Sequence, residues 1–190
     1  MTKETKLFDS DFPEHEQLPR TFTIDFETIE REGKTMTKII YQGMQVGDYI
    51  DDNSRVLDNY RFHDVFHYTF ATVLGWSPCA RAMLKRKRKS VSDIDQFEDG
   101  ARATITEEAV SLIVFNYAKK RNLLDSDNNV ESEILDFIKD STSPFEVSKC
   151  TKEEWEKAIL MGYSLFRNLV KHDGGKIYFD MNNKTARFIK

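Results

Sequence analysis

The stretch YRFHDVFHYTFATVLG, Tyr60 to Gly75, decides the reading of the fold. Phe62, Val65, Phe66, Tyr68, Phe70, Val73 and Leu74 leave almost no polar side, and a helix that is apolar nearly all round is a buried one. The spacing predicts a helix capped by Asp58 or Asn59, running to Leu74 and stopped by Gly75 and then Pro78. Moving outward, Pro78 suits a first helical position and would start a short basic helix, Cys79 to Lys89. Ser92 or Asp93 opens a further helix that continues, with a break near Gly100, to about Arg121. A shorter helix is expected over Glu131 to Lys139. Thr151 and Glu154 form a capping box for a helix whose face is Trp155, Ile159, Tyr163, Phe166 and Val170, ending at Gly174-Gly175.

At both ends the period drops to two. Phe22, Ile24 and Phe26 alternate with polar residues, Arg31-Glu32-Gly33-Lys34 supplies a turn, and Thr35 to Gln42 is the return strand. The tail alternates again through Ile177, Phe179 and Met181, turns at Asn182-Asn183, and returns through Ala186 and Phe188. The expected class is α+β, mostly α: a central helical bundle with an N-terminal and a C-terminal β-hairpin. As one domain, 1–190 divides into an irregular arm (1–20), hairpin and loop (21–57), helical core (58–175) and hairpin (176–190).

The 190 residues can bury a core without a disulfide or metal staple. Lys plus Arg is 28 and Asp plus Glu is 32, a net charge of −4 that makes nucleic acid an unlikely partner. Val110 to Phe115, the longest strongly apolar run, is too short to span a bilayer, and the polar N-terminus shows no secretory signal. Cys79 and Cys150 lie far apart without metal-ligand spacing, so free thiols in a reducing cytoplasm are expected.

The chemistry-bearing residues fall in three segments. His63 and His67, at i and i+4, share one helical face with Asp64 beside them, a spacing that lets two imidazoles converge on a divalent ion. The competing reading is a pair of core histidines bonded to backbone, with Asp64 paired to Arg61. Glu107 lies on a face of small residues, Ala103, Ser111, Val114 and Ala118, while Glu108 shares a stripe with Ile105, Leu112 and Phe115. Carboxylates so placed need a cation, either a metal or Arg102 or the histidines. Glu98 and Asp99 fit second-metal ligands or a solvated helix end. The run Lys85-Arg86-Lys87-Arg88-Lys89 fits a phosphate clamp, a solvated helix end or a basic patch. No Walker A, GxGxxG or GxSxG sequence is present.

Four strings, FDSDFPEHEQLPRTF, YRFHDVFHYTFATVLGWSPCARAMLKRKRKS, VSDIDQFEDGARATITEEAVSLIVFNYA and EWEKAILMGYSLFRNLVKHDGG, resemble the MazG C-terminal domain. That region follows the pyrophosphohydrolase domain in some bacterial MazG-like proteins. The resemblance implies nucleoside triphosphate chemistry, a nucleotide ligand and a homo-oligomer. In the catalytic domain, an ExxE helix and an ExxD helix hold Mg²⁺ around a triphosphate. Here EEAVSLIVFNYA is similar to the second motif helix, but Ser111 stands where the aspartate belongs, and His63, Asp64 and His67 would replace ExxE.

The leading expectation is metal-dependent hydrolysis of a nucleotide phosphoanhydride. His63, Asp64, His67 and Glu108 would hold Mg²⁺ or Mn²⁺, Glu107 would be a further ligand or the base, and Asp64 would share in catalysis. Glu98 and Asp99 would serve a second metal, and Lys85, Arg86, Lys87, Arg88 and Lys89 the phosphates. The alternatives are a nucleotide-binding sensor without catalysis, and an assembly module with a buried polar network.

Overall fold

The computed structural model describes residues 7–189. After an irregular arm with one 3-10 turn at Glu14–Glu16, strands β1 (Thr21–Arg31), β2 (Lys34–Tyr41) and β3 (Met44–Gln45) lead to a loop and a 3-10 turn, Tyr60–Phe62. Helices α1 (Asp64–Leu74), α2 (Pro78–Met83), α3 (Ser92–Phe97), α4 (Ala101–Lys119), α5 (Ser132–Ser141) and α6 (Lys152–His172) follow, and β4 (Gly174–Asp180) and β5 (Thr185–Ile189) close the fold.

The two hairpins are not separate terminal units, which corrects the expected architecture. They join through an antiparallel β1–β4 pairing into one five-stranded sheet of order β3-β2-β1-β4-β5. Alternation marks a strand and its faces but does not name the neighbour across a free edge, so this junction was invisible in the periodicity. Ile24 pairs with Ile177 and Phe22 with Phe179, which aligns the two apolar faces into one. Gly174 makes the junction possible: at φ +115°, an added Cβ would stand 2.3 Å from the Phe26 carbonyl oxygen.

The helical layer packs on that single apolar face. Tyr68 of α1 meets Phe22, Phe26 and Phe179 at ring separations of 6.2, 6.3 and 5.9 Å. On its other side, Phe66 packs on Tyr163 and Phe166 of α6, against a backbone kept close by Gly162. Every residue of α1 is therefore buried, as its all-round apolar sequence requires. Thr151 and Glu154 do form the capping box of α6, and Gly75, in the left-handed region, ends α1.

Helix α2 is shorter than expected. It stops at Met83, and Lys85 adopts φ +56°, so the basic run is a loop rather than the end of a helix. The arm holds that loop: Glu16 accepts from the Ser90 N–H and hydroxyl, and the Glu14 carbonyl accepts from Arg86. Among the described residues, no helix is long and apolar enough to cross a membrane.

Candidate metal centre

His63 stands at the junction between the 3-10 turn and α1. Asp52 builds that turn, its carboxylate accepting from the backbone N–H of Asp58, Asn59 and Arg61. The His63 ring stacks on Tyr60 at 4.3 Å, and Nδ1 lies 2.9 Å from the Tyr60 carbonyl oxygen. Since a carbonyl only accepts, Nδ1 carries the proton and the Nε2 lone pair faces away, 3.3 Å from Asp64 Oδ1.

One turn on, His67 is only 1% exposed. Its Nδ1 donates to Glu107 Oε1 at 2.9 Å, and Nε2 lies 3.5 Å from Glu108 Oε1 without a hydrogen-bond partner. Helix α4 delivers both carboxylates, on different faces. Glu107 is wholly buried and also accepts from the Ser77 hydroxyl at 2.6 Å and the Cys79 N–H at 2.9 Å. Its oxygens are thus committed behind the imidazole, in the manner of a carboxylate that orients a metal-binding histidine. Glu108 faces the other nitrogen and is 45% exposed in its side chain. Ligand atoms of His63, His67 and Glu108 lie within 4.8 Å of one another, as do those of His67, Cys79 and Glu107.

The charge states follow from this packing. Burial pushes the His63 pKa down, although Asp64 opposes it, and burial pushes the Asp64 carboxyl up. Burial also disfavours charge on His67, yet its pKa is raised well above the ordinary 6.5 by Cys79 and Glu107. Burial drives the Cys79 thiol upward and keeps it neutral, so the Glu107 carboxylate is the lasting cause. Burial alone would raise Glu108, but His67 and His63 bring it down to about 2. An ionised carboxylate therefore faces His67 Nε2 directly, with a ligand atom of His63 within 4.8 Å of it.

The structure brings His63, Asp64, His67, Glu107 and Glu108 together and gives the other expected site residues different surroundings. Arg61 goes to Asp173 and Asn59, not to Asp64. Arg102 is exposed and makes no pair with Glu107. Asp99 is fully buried and engages the equally buried Arg88 at 2.7 Å, with Arg81 at 3.7 Å. Arg88 also reaches Glu146 at 2.7 Å. Arg88 and Asp99 are thus partners in a core ion pair rather than a phosphate contact and a metal ligand. Glu98 accepts from the Glu146 N–H at 3.0 Å. Lys85 and Lys89 are exposed, and Arg86 and Lys87 half-buried. Lys85 and Arg86 line a surface cavity of about 790 Å³ to which His63, His67 and Glu108 do not contribute.

Two residues at the site escaped the sequence reading. Ser77 caps α2 and Cys79 follows Pro78, which places a hydroxyl, an N–H and a thiol against the carboxylates. The helix start at Pro78 was legible. That it abuts Glu107 depends on how α2 crosses α4.

The family model of the MazG C-terminal domain matches residues 3–190, and the chain belongs to that family. No curated protein and no solved structure matches it.

Proposed function

We propose that this member of the MazG C-terminal domain family is a metal-dependent hydrolase of nucleotide phosphoanhydrides, with His63, His67 and Glu108 as ligands of one divalent ion. The observation that carries the reading is the grouping of ligand atoms of His63, His67 and an ionised Glu108 within 4.8 Å of one another, while both Nδ1 atoms are tied down. Of the two ions expected from the sequence, two imidazole nitrogens favour Mn²⁺ over Mg²⁺, which prefers oxygen. Such an ion supplies Lewis acidity to a phosphoryl oxygen.

The chain's own residues divide the remaining work. Glu107 holds the His67 ring through Nδ1 and keeps Nε2 facing Glu108. Asp64, with its carboxyl pushed upward by burial and 3.3 Å from His63 Nε2, is the base that takes a proton from the attacking water. The exposed flank of Glu108 is the side from which substrate arrives. Lys85, Arg86, Lys87 and Lys89 are the cations left to neutralise phosphate, because Arg88 is committed to Asp99 and Glu146. Cys79 stands at this cluster and belongs to α2, whose end at Met83 leads into the basic loop.

A panel of ribo- and deoxynucleoside triphosphates with Mn²⁺, read by product chromatography, tests the proposal. Monophosphate and pyrophosphate, formed by the parent and lost in Glu108→Gln, are the expected products. Nucleotide binding without turnover would replace the hydrolase reading with that of a sensor.

A further inference from the structure

We propose that Cys79 is a fourth ligand of this centre, contributing a thiolate, and that the ion it selects is therefore Zn²⁺ ahead of Mn²⁺. The inference rests on the metal reading of His63, His67 and Glu108 and extends it to a residue with no metal-ligand spacing in the sequence. Cys79 Sγ lies 3.7 Å from Glu108 Oε1, against 3.5 Å for His67 Nε2 from the same oxygen. Zn–S bonds of about 2.3 Å, with Zn–N and Zn–O bonds near 2.0–2.2 Å at tetrahedral angles, put neighbouring S and O ligands about 3.6 Å apart and N and O about 3.4 Å apart. Both distances already match those edges to within about 0.2 Å.

A second observation points into the same space. His67 Nε2 is buried and has no hydrogen-bond partner, and a ring nitrogen of His67 lies within 4.8 Å of Cys79 Sγ. Buried polar atoms are rarely left so, and an ion that displaces the Nε2 proton would satisfy the nitrogen. Glu107 belongs to the same grouping but is not available as a ligand, because its oxygens already accept from His67, Ser77 and the Cys79 N–H. The thiol's other neighbour is the Thr104 carbonyl at 3.9 Å, a weak contact. Imidazole, carboxylate and thiolate together suit Zn²⁺, whereas Mg²⁺ and Mn²⁺ are not bound through sulfur in ordinary sites. On binding, the thiol proton leaves to the solvent as the S–metal bond forms. The exposed flank of Glu108 leaves room for a fifth ligand, which zinc accepts during catalysis.

Co²⁺ replaces Zn²⁺ in such sites and reports sulfur directly. The chelator-treated full chain would be titrated with Co²⁺ and followed by near-ultraviolet and visible absorption, beside Cys79→Ser and Cys150→Ser. The expected result is a thiolate-to-cobalt charge-transfer band in the parent and in Cys150→Ser, absent from Cys79→Ser, with Zn²⁺ affinity at least tenfold lower in that variant. Co²⁺ bound with visible bands but no charge-transfer band would overturn the role of Cys79 and leave the three-ligand reading standing. No Co²⁺ or Zn²⁺ binding by the parent would overturn both. The parent spectrum alone separates these cases, so a misfolded variant does not obscure the outcome.

Discussion

Replacing Glu107 by glutamine tests how the site is organised while changing almost no volume. The carboxylate accepts at Oε1 from His67 Nδ1 and Ser77 Oγ, and at Oε2 from the Cys79 N–H. In one amide orientation the new NH₂ confronts the Cys79 N–H, leaving a buried donor unmet at about 1–3 kcal/mol. In the other it confronts His67 Nδ1, which must then accept. That shifts the ring proton to Nε2 and removes the lone pair offered to the metal. Either way, Glu107→Gln should lose about 1–3 kcal/mol of stability without metal. For a chain of this length that lowers the melting temperature by about 2–4 °C per kcal/mol. Loss of such a supporting group should also weaken metal binding about 10–100-fold. Urea unfolding in chelator gives the first quantity and calorimetric titration with Mn²⁺ the second. A glutamine variant as stable as the parent, and binding metal as tightly, would refute the claim that Glu107 orients His67.

Arg88→Ala strands the buried Asp99 and should cost about 3–5 kcal/mol, while the neighbouring Lys89→Ala, at an exposed position, should stay within about 0.5 kcal/mol; equal melting temperatures for the two would contradict the core ion pair. Gly174→Ala forces a Cβ towards the Phe26 carbonyl at a strained φ and should destabilise by at least about 1–3 kcal/mol, read by urea unfolding, with a parent-like midpoint as the adverse result. The pH profile of metal-free stability has a sign for each group. His67, with its folded pKa raised above 6.5, contributes fully below 6.5 and loses that contribution as pH rises through the raised value. Glu108, depressed from 4.5 to about 2, contributes above 4.5 and loses it as pH falls towards 2. Glu108→Gln should therefore flatten part of the acid limb in thermal scans, and an unchanged acid limb would count against the His67–Glu108 interaction.

Periodicity carried far in this chain because so much of it is decided by burial. The run from Phe62 to Leu74 had only one physical option, a helix covered on all sides, and α1 lies between the sheet and α6. Thr151 and Glu154 announced α6 through local hydrogen bonding. Strand partnership is a property of two distant segments. The single sheet depends on Gly174 letting β4 approach Phe26, more than 140 residues away in sequence, so the hairpins read as independent. The basic run was read as helix because Pro78 starts one, whereas the arm's contacts from Glu14 and Glu16 hold it as a loop.

The site divides along the same line. His63 and His67 at helical spacing, and Glu107 on a face of small residues, were legible because each depends on one helix. Which carboxylate faces which imidazole nitrogen depends on how α1 crosses α4. Glu107, the more buried of the two, stands behind His67 at Nδ1, while Glu108 faces Nε2. Cys79 carried no motif spacing, and only the meeting of α2 with α4 brings it to Glu108. Arg88 is the opposite case: one of five consecutive cations by sequence, it alone turns inward to Asp99.

The central claim is that one divalent ion binds between His63, His67 and Glu108. Calorimetric titration of the chelator-treated chain with Mn²⁺, and then with Zn²⁺, tests it most directly. One ion bound per chain is expected, with the heat abolished by His67→Ala combined with Glu108→Ala in a protein that still unfolds cooperatively. No heat with either ion in the parent, or an undiminished titration in the double variant, would contradict it.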